Sequence, residues 1–362
     1  MDRIAKVDVF KADIPLSEPF VISLETITAA RNVMVCIHSE KGLKGWGECS
    51  PYPTILGETQ ESCYAAAQQF AQLLPGKAVS AIDQNLRLLD TLLVRNYCVK
   101  SAFDMALYDL AAKEAGLPLY AYLGGTNKGE LRTDMTIGIG SPEKMSATAK
   151  ALQEEGFDTI KIKLGTHYDA DIQRMEWIQA EVGDQVKLRL DANQGWDLPT
   201  ALRILKKLST MNLLIEWCEA PIPAWNMQGL TQLNRLSPIP LMADESLFDH
   251  RDAVQHVIQQ ACSYFNIKLA KSGGIHNARK VVAIGEGAGI NMQVGCFSET
   301  RLGITALAHF VLAHPSIQAY DMDSFLMLSK DPIQGGVQYR AGGWISVPEE
   351  AGLGCEVDRN FL

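Results

Sequence analysis

The stretch FDTIKIKLG, residues 157–165, reads as a short strand that ends on two lysines, Lys161 and Lys163. Residues two apart on a strand project from the same side, so both ammonium groups aim one way. The same pattern returns downstream. VKLRLDANQ (186–194) ends on Asp191, LLIEWCEAP (213–221) on Glu219, IPLMADES (239–246) on Asp244 and YFNIKLAKS (264–272) on Lys268. NMQVGCFSE (291–299) ends on Cys296 and IQAYDMDSF (317–325) on the pair Asp321/Asp323. Successive marked positions are 24 to 28 residues apart, about the length of one βα unit. With TDMTIGIG (133–140) ahead of them, these stretches make eight strands separated by helical segments, which implies parallel pairing. Eight units suit a closed barrel better than an open sheet. Residues at the C-terminal ends of barrel strands meet at one mouth, where the loops build an active site. The spacing therefore predicts an α/β barrel of the TIM type that collects acids and lysines, distant in sequence, into one enzyme pocket.

A chain of 362 residues has room for one large domain and a smaller one. Its net charge of −9 argues against nucleic acid or an anionic membrane as the main partner. No apolar run approaches the ~18 residues of a membrane span. The opening MDRIAKVDVFKADIPL alternates like a strand and lacks the apolar region of a signal peptide. The eight cysteines show no CxxC spacing and read as reduced thiols of a cytoplasmic protein.

In the front third, IAKVDVFKADI and NVMVCIHSE read as strands and KGLKGWGE as a turn, while Glu18 to Arg31 is polar enough to be a loop. Residues 60–115 read as helical. In the last helix Phe103, Ala106, Leu107, Leu110 and Ala111 form one apolar face, and Gly116 is a natural stop. Ser141-Pro142-Glu143 opens a later helix that Gly156 closes. The expected division is an α+β module over residues 1–125, a barrel over 126–325, and a Gly/Pro-rich segment, 326–362, that returns to the front module.

KIKLG (161–165), DANQGW (191–196), EWCEAP (216–221), ADES (243–246) and KLAKSGG (268–274) together resemble the muconate-lactonizing branch of the enolase superfamily. The likeness runs through essentially the whole chain, including GWGEC (45–49) and LYDLAAKEAGLPLYAYLGG (107–125). DMD at 321–323 is similar to the eighth-strand DxD of that family's dipeptide epimerases. The resemblance implies a modified (β/α)7β TIM barrel under an N-terminal α+β capping domain, and a lysine base working with Mg²⁺. Members are commonly homo-oligomers, which is the expectation here.

The residues themselves support that chemistry. Asp191, Glu219 and Asp244 offer three hard carboxylates on successive strands, with no His or Cys ligand pattern nearby, which selects Mg²⁺. Lys163 on strand two and Lys268 on strand six stand opposite each other in an eight-strand ring. One base returns a proton to the side it came from; two opposed bases invert the centre. A dication and the Lys161 ammonium would lower the lysine pKa from its usual ~10.4. By resemblance, Lys161 lies against the substrate, and Asp321 and Asp323 receive the α-ammonium of a dipeptide.

Glu25 stands in the loop where Ala-Glu epimerases carry an arginine. The reversed charge disfavours an acidic second residue; it either favours Lys or Arg or tolerates polar and apolar side chains. Phe297 and Ser298 either shape the same pocket or pack the core. Supporting places behind the metal ligands fall to Asn193, Glu245 and Glu299, with Glu245 orienting either Lys268 or the metal site. Lys271 is expected either in solvent or in a similar supporting place, and His309 in the core. The expected activity is Mg²⁺-dependent epimerisation of a small-molecule dipeptide at its second residue. The alternatives are N-succinylamino-acid racemase, o-succinylbenzoate synthase and muconate cycloisomerase.

Overall fold

The front of the chain is built on an antiparallel sheet of three strands, Ile4–Val21, Thr26–Ser39 and Lys44–Cys49. In this computed structural model residues 2–127 and 129–361 are described. The GWGE stretch is the third strand of that sheet rather than a turn. Its glycines explain why: a Cβ on Gly45 would stand 2.1 Å from the carbonyl oxygen of Ala106, and one on Gly47 1.9 Å from that of Ala102. A strand bare of side chains at these two places lies directly on the helix Tyr97–Ala115.

That helix is buried all round from Cys98 to Ala112, not along one face, because sheet and barrel cover it from different sides. Asp109 accepts from Trp46 N (2.9 Å) and Leu353 N (2.7 Å), and Asp104 accepts from Ile275 N (2.6 Å) and His276 N. Asp104 thus caps the barrel helix Ile275–Ala288, whose own N-cap, Gly274, has no side chain to do so. Residues 60–115 hold three helices, Gln60–Leu73, Ile82–Leu92 and Tyr97–Ala115.

The segment Glu18 to Arg31 is not a loop. The first two strands pair as far as Phe20 with Ile27 and Val21 with Thr26, past an irregularity between Pro15 and Phe20. Only residues 22–25 turn, closed by Ile22 N donating to Glu25 O at 3.0 Å. The hairpin tip docks on the barrel mouth, where Ile139 N donates to Val21 O (2.8 Å) and Ser23 Oγ to the carbonyls of Ala192 (2.9 Å) and Asn193 (2.8 Å). Docking is what gives a polar ribbon its order.

Eight parallel strands follow in sequential order: Met135–Ile137, Thr159–Lys163, Lys187–Asp191, Leu214–Glu219, Leu241–Ala243, Tyr264–Ile267, Asn291–Val294 and Ile317–Tyr320. Helices follow the first seven; a single 3₁₀ turn, Ser324–Met327, follows the eighth. This is the expected (β/α)7β arrangement. The seam between strands eight and one carries a backbone bond, Asp134 N to Tyr320 O (3.2 Å), and two side-chain bonds, Met322 N to Thr133 Oγ1 (2.8 Å) and Thr136 N to Asp323 Oδ2 (2.7 Å).

Alternation divides the strands. Ile160, Ile162, Leu188 and Leu190 pack outward with the barrel helices, while Lys161, Lys163 and Asp191 are buried on the inner side. Strand register places Lys163 beside Asp191 and Asp191 beside Glu219. The helix Pro142–Glu155 opens on Ser141, which accepts from Lys144 N, and closes at Gly156 with φ 103°, as its sequence predicts.

Past the barrel, Leu328 bridges to Leu16, Ser329 N donates to Pro15 O (2.9 Å), and Glu356 accepts from Trp46 Nε1 (2.6 Å). The strand Trp344–Ser346 pairs instead with Leu131–Arg132 at the start of the barrel. Among the described residues, no helix is long and apolar enough to cross a membrane.

Candidate active site

Asp191, Glu219 and Asp244 come from strands three, four and the end of five, and their carboxylate oxygens lie within 4.8 Å of one another. All three side chains are buried. Their partners fix them in place: Asn266 Nδ2 donates to Glu219 Oε1 (2.6 Å), Asn193 N to Asp191 Oδ1 (2.9 Å), and Lys271 Nζ to both Asp244 Oδ1 and the Asp244 carbonyl (2.7 Å). Glu219 Oε2 and Asp244 Oδ2 have no aligned hydrogen-bond donor, only ammonium charges at 2.8 Å (Lys161) and 2.9 Å (Lys268). Burial, then the charge of Asp191, pushes the Glu219 carboxyl up to about 8. Three crowded hard oxygens, two of them unsatisfied, fit a dication such as Mg²⁺.

Lys163 and Lys268 reach one cavity from strands two and six. Lys163 Nζ donates to Asp191 Oδ2 at 2.5 Å. Lys268 Nζ sits 2.9 Å from Asp244 Oδ2 and 4.6 Å from the centre of the Phe297 ring, which stacks on Tyr52 at 5.0 Å. Burial would lower the Lys268 pKa, but Asp244 and Glu219 outweigh it and hold the ammonium above its ordinary value. A dication on the same acids would withdraw that attraction.

Lys161 pairs with acids, and its role as a source of positive charge is therefore local. Its Nζ lies 2.9 Å from Asp321, 2.8 Å from Glu219 and 3.2 Å from Asp191. Asp321 and Asp323 both line the cavity. The former already has Lys161, and the latter has the Thr136 N–H. Burial, then the neighbouring Asp321, still pushes Asp323 up to about 6. Cys296 Sγ lies 3.9 Å from Asp321 Oδ1 and 3.7 Å from Asp323 Oδ1.

The structure chooses between the alternatives for two residues. Lys271 takes the supporting place, buried against Asp244 and Asn266 rather than in solvent. Glu245 accepts from Asn193 Nδ2 (3.0 Å), whereas Lys268 is held by Asp244. Glu299 turns back to the Phe297 N–H and neighbours Glu48 at the junction with the capping domain, not among the residues lining the cavity.

Ser298 lines the cavity, and Phe297 both lines it and packs. Glu25 is not among the lining residues. Its carboxylate accepts the Thr54 hydroxyl on the neighbouring loop, at the rim. The walls are instead apolar: Leu16, Phe20, Ile22, Ile55, Met327 and Leu328. The space within the cavity open to a water-sized molecule is about 50 Å³. Sequence reasoning missed these residues and Asn266. Asn266 had a signal, since it lies two before Lys268 on the same strand face; the wall residues had none, because their place depends on how the hairpin docks.

Comparison with known proteins fits this geometry. The family model "Mandelate racemase / muconate lactonizing enzyme, N-terminal domain" matches residues 4–124, and "Enolase C-terminal domain-like" matches residues 144–361. The chain belongs to the mandelate racemase / muconate lactonizing enzyme family. Within that family it is 43% identical over 359 residues to the D-Ala-D/L-Ala epimerase of Cytophaga hutchinsonii, covering 99% of this chain and 97% of the relative. It is 39% identical over 354 residues to the L-Ala-D/L-Glu epimerase of Bacillus subtilis (97% and 96%). The crystal structure of the C. hutchinsonii dipeptide epimerase with Mg and D-Ala-L-Val matches with a TM-score of 0.97 at 43% identity, covering 99% and 97%. That of the Enterococcus faecalis dipeptide epimerase with Mg and L-Leu-L-Tyr matches at 0.94 and 38%, covering 98% and 99%. The relatives are epimerases, and this family member is an enzyme, an isomerase of the same kind.

Proposed function

We propose that this chain is a Mg²⁺-dependent dipeptide epimerase that inverts the α-carbon of the second residue by two-base proton transfer. The observation that carries the reading is the joint placement of Lys163, Lys268, Asp321 and Asp323 on one cavity, with Lys161, Lys163 and Lys268 of its lining paired to the Asp191–Glu219–Asp244 cluster. Asp191, Glu219 and Asp244 hold the ion, which when bound stabilises the negative charge that grows on the substrate carboxylate as the α-proton leaves. Lys163 and Lys268 face the α-carbon from opposite sides: the neutral amine of one takes the proton and the ammonium of the other delivers one. Asp321 and Asp323 receive the dipeptide's α-ammonium, which sets the register of the chain in the cavity. Lys161 pairs with Asp321 and so sets an opposite charge beside it in this buried place.

The apolar walls favour a neutral, apolar side chain on the second residue. Glu25, bonded to Thr54 at the rim, adds a negative charge that disfavours acidic ones. The relatives bound to D-Ala-L-Val and L-Leu-L-Tyr lend this choice support. The test is solvent exchange: L,L-dipeptides sorted by the charge of the second residue are incubated in D₂O with Mg²⁺. Deuterium at the second α-carbon with both epimers present is the expected result, strongest for neutral side chains. Exchange in N-succinyl amino acids with none in any dipeptide would favour the racemase reading instead.

A further inference from the structure

Three cysteines that share no spacing in the sequence meet inside the capping domain. Cys49 ends the third cap strand, Cys63 lies in the first turn of the helix Gln60–Leu73, and Cys98 in the first turn of Tyr97–Ala115. One Sγ from each falls within 4.8 Å of the other two, and all three residues are buried. A carboxylate stands beside Cys63. Glu58 accepts from Cys63 Sγ at 3.4 Å while its oxygens also take the Cys98 and Val99 N–H groups at 3.0 and 3.3 Å.

We infer that Cys49, Cys63, Cys98 and Glu58 form a second metal site, for one thiophilic d¹⁰ ion of the zinc class, distinct from the Mg²⁺ site. Three sulfurs and one carboxylate oxygen provide the four ligands that structural zinc takes, with Glu58 moving in from its place beside Cys63. Soft thiolates discriminate against Mg²⁺ as firmly as the barrel carboxylates prefer it. Sulfurs about 2.3 Å from a common ion stand closer together than 4.8 Å, so binding needs only a small contraction. Each thiol releases its proton as it joins, since the thiolate is the ligand. The N-terminus of the helix Tyr97–Ala115 faces Glu58 and favours the negative charge gathered there.

The location gives the site a consequence. Cys49 and Glu58 bracket the loop that carries Tyr52, Thr54 and Ile55, the residues that stack on Phe297, hold Glu25 and line the catalytic cavity. An ion bridging both ends pins that loop to two cap helices. Glu58 also lines a separate cleft with Tyr97, Lys100 and Asp249, which supplies a way in.

The test uses full-length protein produced with cobalt(II) replacing zinc in the medium and purified in excess Mg²⁺. Wild-type protein is expected to retain one cobalt per chain, with thiolate-to-cobalt charge-transfer absorption and the intense visible bands of a four-coordinate ion. Cys63→Ser and Cys98→Ser lose that absorption. Glu58→Gln keeps all three sulfurs, so it retains the charge-transfer absorption and shifts the visible bands. Circular dichroism establishes that each variant is folded, and Glu58→Gln carries the test if a cysteine variant fails to fold. Wild-type protein without the thiolate absorption overturns the inference. So does absorption that survives Cys63→Ser at full strength, or that Glu58→Gln leaves unshifted.

Discussion

Lys161 Nζ lies 2.9 Å from Asp321 Oδ2, so one ammonium on the second barrel strand ties an acid at the end of strand eight to Asp191 and Glu219, which it also touches. No side chain here is charged in isolation. Lys161 is buried among partners that raise its pKa well above the ordinary lysine value: burial opposes the charge, and Asp321, Glu219 and Asp191 overcome it.

Replacing Lys161 with Met removes the charge and leaves Asp321 and Glu219 buried without it. The metal-free variant is expected to lose about 3–5 kcal/mol of stability, the usual cost of breaking a buried pair from one side. Urea unfolding after chelation measures it, and added Mg²⁺ should restore part of the loss. A chelated variant as stable as its parent would refute this role.

The two lysines proposed as opposed bases predict complementary defects. Lys163→Ala and Lys268→Ala should each slow epimerisation by about 10²–10⁴-fold, the usual worth of a positioned acid or base. Each variant keeps the base on one face. In D₂O, one should exchange the α-proton only from the L form of the second residue and the other only from the D form, as read by proton NMR. Both variants exchanging the same epimer would sink the opposed-base assignment.

Selectivity should follow the cavity walls rather than Glu25. Ile55→Ala and Met327→Ala are expected to lower kcat/KM for large apolar second residues by about tenfold or more, since even one methylene in such a pocket is worth roughly 1–3 kcal/mol. Glu25→Ala, at the rim, should change turnover of the same neutral dipeptides by about twofold or less. The reverse order of effects would return Glu25 to the centre of recognition.

His309 gives a pH dependence away from the Asp191–Glu219–Asp244 cluster. Its Nδ1 accepts the Tyr120 N–H at 3.2 Å, its ring stacks on Tyr120, and burial pushes its pKa down to about 4. The unfolded value is ~6.5, so protonation favours the unfolded chain. The contribution is complete above pH 6.5 and disappears as pH falls toward 4, a loss of about 3 kcal/mol at most. His309→Asn should flatten the stability profile over that window relative to the parent. An unchanged difference between pH 7 and pH 4.5 would contradict it.

The strand-end residues were legible because parallel strands in register repeat one geometry. Once Lys163, Asp191 and Glu219 stand at equivalent strand ends, their meeting follows without knowledge of any loop. Segments whose order comes from docking were not legible. The ribbon from Glu18 to Arg31 presents polar residues outward and reads as a loop until Ser23 finds the Ala192 and Asn193 carbonyls. Lys271 reads from the sequence as either solvated or supporting, because nothing local shows that Asp244 and Asn266 will enclose it. Cys49, Cys63 and Cys98 come from three cap elements, so no spacing rule could find them.

The hairpin tip rests on the barrel through Ser23 hydroxyl bonds to backbone carbonyls, a grip blind to which side chains those barrel residues carry. Leu16, Phe20 and Ile22 can therefore be exchanged for other side chains while the proton-transfer machinery below keeps its setting. A graft confined to the span 16–27 is a compact route to catalysts for new peptides, with choice of substrate and cleavage of the C–H bond evolving on separate stretches of polypeptide.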